Sequence, residues 1–190
     1  MPILLSSPSH GDGHLRIWSV KTVRQKTPDS PSALLLMLDE AFEKKTWHGP
    51  NLKGSLRGVT AEDAAWRAAP GRHNIWEIVV HAAYWKYAVQ RRLRGGPRGS
   101  FAFPGSNWFA RPAMRNEKAW REDRALLVRE HRKLREAVAS LGDEKRLRPW
   151  FRMIFGVAFH DVYHAGQIQL LKKFRSEARK RGRGRRPGHR

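Results

Sequence analysis

The chain has 190 residues and no cysteine. It is long enough to bury a core without staples, and it can hold no disulfide framework, thiolate nucleophile or cysteine-type zinc site. The formal net charge is +21, and residues 172–190 contribute nearly half of that excess, with ten Lys or Arg against the single acid Glu177. No run approaches the length of apolar sequence that a membrane-spanning helix needs. The N-terminus turns polar by Ser6 and lacks a signal-peptide pattern. Absence of cysteine fits a cytoplasmic protein.

Residues 1–30 show no sustained periodicity and read as an irregular N-terminal extension, with Ser, Pro, Gly and His clustered at 6–14. A helix is predicted from Ser30 to about Lys45. Ser30 suits a cap, Pro31 suits the first turn, and Leu34, Leu35, Leu38, Ala41 and Phe42 recur at three- and four-residue steps. A loop over 47–54 follows. Thr60 then caps a short helix over 61–67, with Asp63 favoured by the helix dipole. Asn74 and Glu77 form a capping-box pattern, opening a second long helix that runs to about Arg94 and stops at Gly95-Gly96-Pro97.

Residues 95–115 form a long loop. Its aromatics Phe101, Phe103, Trp108 and Phe109 imply that it folds back onto the protein. A third long helix is expected over 117–140, and a fourth from near Trp150 to about Phe174. Residues 175–190 read as a basic, disordered tail. No segment alternates with the period of a strand. The fold class is therefore all-α, a helical bundle over 31–174.

Of nine histidines, His10, His14 and His189 fall in the expected extension and tail, and His131 follows Glu130 on the charged side of the third helix. His48 and His73 fall in loops. His81 lies on the apolar stripe of the second helix, three residues after Ile78 and four before Trp85. His160 and His164 are one turn apart on the seam of the fourth helix. Neutral imidazoles are good ligands for zinc, nickel, copper or iron. Three of them from two helices would leave a further position for water or substrate, as in an open catalytic site. Asp161 and Gln167 are candidates to orient the ligands by hydrogen bonds. The alternative is three ordinary hydrogen-bonded core histidines.

Other chemistries have less support. The glycines at 95–99 lack the Lys-Ser/Thr of a phosphate loop. No serine sits in a Gly-X-Ser-X-Gly turn. Asp161 is the one inward carboxylate the pattern places, which disfavours paired-carboxylate hydrolysis.

The segment Phe159-His160-Asp161-Val162-Tyr163-His164-Ala165-Gly166-Gln167-Ile168 resembles the last-helix signature of the DinB-like (DinB/YfiT) family of metal-binding four-helix bundles. The segment Trp76 to Trp85 around His81 is similar to the family's second-helix histidine segment, and Trp47-His48-Gly49-Pro50-Asn51-Leu52 looks like one branch of it. The resemblance covers about residues 32–172. It implies that His81, His160 and His164 are metal ligands, that the bundle is up-down-down-up and often dimeric, and that zinc or nickel is bound. Some relatives are thiol-dependent transferases or isomerases using a low-molecular-weight thiol. His48 is either an accessory polar group or base near the mouth of the cleft or, the favoured reading, a loop histidine facing water. The basic link 143–152 looks short for the family, and residues 1–30 and the tail have no counterpart in it.

Three functions follow. The first is a metal-dependent enzyme joining a thiol to a small electrophile, with Arg72 or Lys86 attracting an acidic cosubstrate. The second is a metal- or ligand-binding bundle without turnover. The third is charge-driven, non-specific nucleic-acid binding through the tail, for which no base-reading motif is present.

Overall fold

The computed structural model describes residues 30–99, 101–111 and 116–184. The expected N-terminal extension over 1–29, with His10 and His14, and the end of the basic tail over 185–190, with His189, lie outside these residues. Among the described residues every regular element is helical, and no helix is long and apolar enough to cross a membrane.

The elements are α1 (Ser30–Phe42), α2 (Leu52–Ser55), α3 (Ala61–Ala65), α4 (Ile75–Leu93), α5 (Glu117–Ala139), α6 (Glu144–Leu147), a 3-10 turn (Arg148–Trp150) and α7 (Phe151–Gly184). Their starts follow local chemistry. The Thr60 side chain accepts from the Asp63 N–H. Asn74 and Glu77 close a full capping box, and Asn116 accepts from the N–H groups of Lys118 and Ala119. Two short helices depart from the expected loops. Asn51 caps α2 by accepting from Gly54 at 2.7 Å, and Asp143 caps α6 by accepting from Arg146 at 2.9 Å.

The last helix is a larger correction. It was expected to end near Phe174, with a disordered tail from 175, but it continues to Gly184. Arg175 pairs with Glu62 at 2.7 Å and Arg179 with Asp63 at 2.9 Å, which docks the added turns against α3. These two tail charges are therefore engaged within the fold.

The core has two apolar clusters. One gathers the first half of α4, the first half of α5, the short helices α2 and α3, and Phe109 of the 95–111 loop. The other gathers α1, Val89 of α4, Leu134 and Val138 of α5, Leu147, and the start of α7. Between them, α4, α5 and α7 each place polar residues in the interior: Lys86, His131 and Asp161 are all at most 1% exposed. The candidate site lies beside this polar belt.

Candidate metal centre

His81 comes from α4, and His160 and His164 from α7. His81 and His164 are buried and His160 is half-buried. Their Nε2 atoms converge. Those of His81 and His160 are 3.0 Å apart, and those of His164 and His160 are 2.9 Å apart. Two nitrogens on one tetrahedral zinc would stand roughly 3.3 Å apart for bonds of about 2.0–2.1 Å. Among the described residues this is the only cluster of His, Cys, Asp or Glu whose ligand atoms come together closely enough to hold a metal ion.

Hydrogen bonds fix which nitrogen carries the proton. His81 Nδ1 lies 2.8 Å from the carbonyl of Asn107. His164 Nδ1 lies 2.6 Å from Oε1 of Gln167, whose amide nitrogen donates to the Tyr163 hydroxyl at 2.9 Å. A carbonyl oxygen only accepts, so both Nδ1 atoms donate and both Nε2 lone pairs are bare. These lone pairs point at the Nε2 of His160, whose own Nδ1 is buried without a partner. One proton on His160 cannot satisfy two facing lone pairs, whereas a cation at the convergence point accepts from all three. Burial also keeps the imidazoles neutral. It holds His160 down to about 3, helped by the charges of its neighbours, holds His164 down to about 4, and lowers His81. At neutral pH, protons therefore compete little for these nitrogens.

The 95–111 loop covers one side of the triad. Trp108 stacks on His81 with centroids 3.7 Å apart, and on His73 at 3.6 Å, so its indole is held between the two rings. Asn107 has φ of 66°, the left-handed region that asparagine tolerates better than most residues. In that conformation its carbonyl meets His81 while its side chain accepts from Trp85 Nε1 at 3.1 Å. Asn107, Trp108 and His73 were missed as site residues. The aromatics of the loop were visible in the sequence, but the contact of Asn107 with His81 depends on where tertiary packing lays the loop.

Several expectations are corrected. Asp161 does not touch a histidine of the triad. It pairs with Lys86, and both side chains are wholly buried. Lys86 is thus no cation at a cleft mouth. Burial lowers its pKa and pushes Asp161 up to about 6, while their mutual attraction opposes both shifts. Arg72 is exposed and lines neither cavity next to the triad. His48 is exposed and lines a groove with Leu36 and Phe159, from which the triad is absent. His131, read as sitting on a charged surface, is 1% exposed and stacks on Phe42 at 3.9 Å. Asp161 is also not alone as an inward carboxylate. Asp39, Glu77, Asp123 and Glu130 are buried too, and each is paired with a cation, as in Arg111–Asp123 at 2.7 Å.

An all-helical bundle whose interior presents three converging imidazoles from two helices, two of them braced by acceptors behind, belongs to the class of bundles able to bind a metal within the core. Residues 46–168, well over half of the chain, match the family model for the DinB superfamily, and the chain belongs to that superfamily. No curated protein and no solved structure gives a significant match.

Proposed function

We propose that the protein is a divalent-metal-dependent enzyme that joins a low-molecular-weight thiol to a small electrophilic molecule, with His81, His160 and His164 as the metal ligands. The observation that carries this reading is the pair of bare Nε2 lone pairs directed at a third imidazole nitrogen. The nitrogen donor set suits zinc or nickel. A bound metal ion would supply a site where a thiol is held as thiolate near neutral pH. The chain has no cysteine, so the sulfur comes from a cosubstrate. Gln167 and the Asn107 carbonyl hold the outer ligands in the tautomer that offers Nε2, and Trp108 excludes water from one side of His81.

A homodimer fits the surface of α7. Phe155, Phe159, Tyr163, Leu170 and Phe174 are all exposed and recur at helical spacing along one side of that helix.

The test is metal content per chain by mass spectrometry on untagged protein, for wild type and His160→Ala/His164→Ala. About one equivalent in wild type and none in the variant is expected, followed by thiol-transfer activity that disappears in His164→Ala. Folded wild type that refuses added zinc and nickel would overturn the metal reading. Metal at full occupancy with no turnover of any electrophile would leave a binding protein instead.

A further inference from the structure

His160 also faces a cavity of about 280 Å³ between α4 and α7. Val89, Met153 and Val157 make its walls apolar, and Gly156 leaves one side without a side chain. Arg92 reaches it from α4. A second cavity, of about 450 Å³, adjoins the first, since Trp85 and Arg92 line both. The second cavity has an aromatic face from Tyr84 and Phe101 and two further guanidiniums, Arg91 and Arg98.

Among the described residues, no carboxylate lines either cavity. Arg91, Arg92 and Arg98 form no ion pair among the described residues, and all three line the second cavity. Arg91 is held in place by a bond from Nη1 to the Gly96 carbonyl at 3.0 Å. Guanidiniums gathered at a partly enclosed, half-aromatic cavity recognise a planar anion by charge and by paired hydrogen bonds.

We infer that the two cavities together bind a small carboxylate-bearing ligand, with its acid group on Arg92, backed by Arg91 and Arg98, and its apolar body and reactive end in the chamber beside His160. The placement of the reactive end rests on the metal reading above; the anchoring of the acid does not. Arg92 is then a specificity residue, and Gly156 keeps the chamber open. An added Cβ at Gly156 meets no atom within 4 Å, so a larger side chain there fills the chamber without straining the helix.

Calorimetric titration of the full chain tests this with three probes: mercaptosuccinate, uncharged 1-thioglycerol, and sulfur-free succinate. Zinc-loaded wild type is expected to bind mercaptosuccinate at least about tenfold more tightly than thioglycerol, as a charge-assisted contact implies. Arg92→Ala should bring the two thiols within about twofold of each other by weakening mercaptosuccinate alone, and Gly156→Leu should weaken both thiols at least about tenfold by filling the chamber. Metal-free wild type should still bind succinate, and Arg92→Ala should lose that binding. No preference for the acidic thiol in wild type, or a preference that survives Arg92→Ala, overturns the inference. So does failure of every probe to bind. A chain that takes no zinc yet binds succinate through Arg92 would sink the metal reading and leave the acid site standing.

Discussion

His131 shows what burial does to a single titratable residue. Its ring lies against Phe42, its Nδ1 is 3.4 Å from the Lys86 ammonium, and its Nε2 has no partner. Burial, and then the positive charge of Lys86, hold its pKa down to about 2. In the unfolded chain the same ring titrates near 6.5. Below that pH the unfolded chain takes up a proton that folded His131 refuses. Its contribution is therefore fully present above pH 6.5 and falls away as the pH drops toward 2, by about 1.4 kcal/mol per pH unit. His131→Phe keeps a ring on Phe42 and removes the titration. Urea denaturation at pH 7 and pH 5 should show wild type losing roughly 2 kcal/mol more than the variant over that interval. Equal losses would mean that His131 is protonated in the fold. The sequence could not reveal this residue, because Glu130, Arg132 and Lys133 surround it with charge while α5 turns it inward. His81, His160 and His164 were legible because apolar neighbours at helical spacing flank each of them.

Among the elements, the best-read were those with local signals at both ends. Asn74 and Glu77 open α4 and the Gly95-Gly96-Pro97 run follows its end, so its span was predictable from the chain alone. The extent of α7 was not. Its last turns lie in a Gly- and Arg-rich stretch with little apolar surface, and the contacts that dock them run to Glu62 and Asp63 over a hundred residues earlier in the chain. The placement of the 95–111 loop over the triad was equally non-local. The middle of α7 carries a cost the fold does not need. Gly166 sits in the helix interior, is exposed, and an added Cβ would meet nothing within 4 Å. Glycine at such a site costs about 0.5–1 kcal/mol relative to alanine. Gly166→Ala should thus raise the melting temperature by about 1–4 °C, measured by calorimetry, with zinc stoichiometry unchanged. A lower melting temperature would point to close approach of a partner at that position.

For the molecule as a whole, a buried ion pair ties α4 to α7. Lys86 is wholly buried, lies 4.8 Å over the Phe42 ring, and pairs with Asp161. One oxygen of Asp161 has no hydrogen-bond partner, so the pair is under-satisfied. The attraction of a buried ion pair is largely offset by the loss of hydration, while removing one member leaves a bare charge in the interior. Lys86→Met alone should therefore destabilise the fold by about 3–5 kcal/mol, and Lys86→Met/Asp161→Leu should regain most of that loss. What an apolar pair does not restore is direction, since methionine and leucine pack in more than one register. His81 rides on α4, while His160 and His164 ride on α7, so a slip between these helices separates the ligands. Stability and metal affinity should thus part company. The double variant is expected to denature near the wild-type urea concentration while binding zinc at least about tenfold more weakly, the loss typical when groups that hold ligands in place are removed. Wild-type zinc affinity in a stable double variant would show that apolar packing alone sets the register and that the ion pair is dispensable to the site.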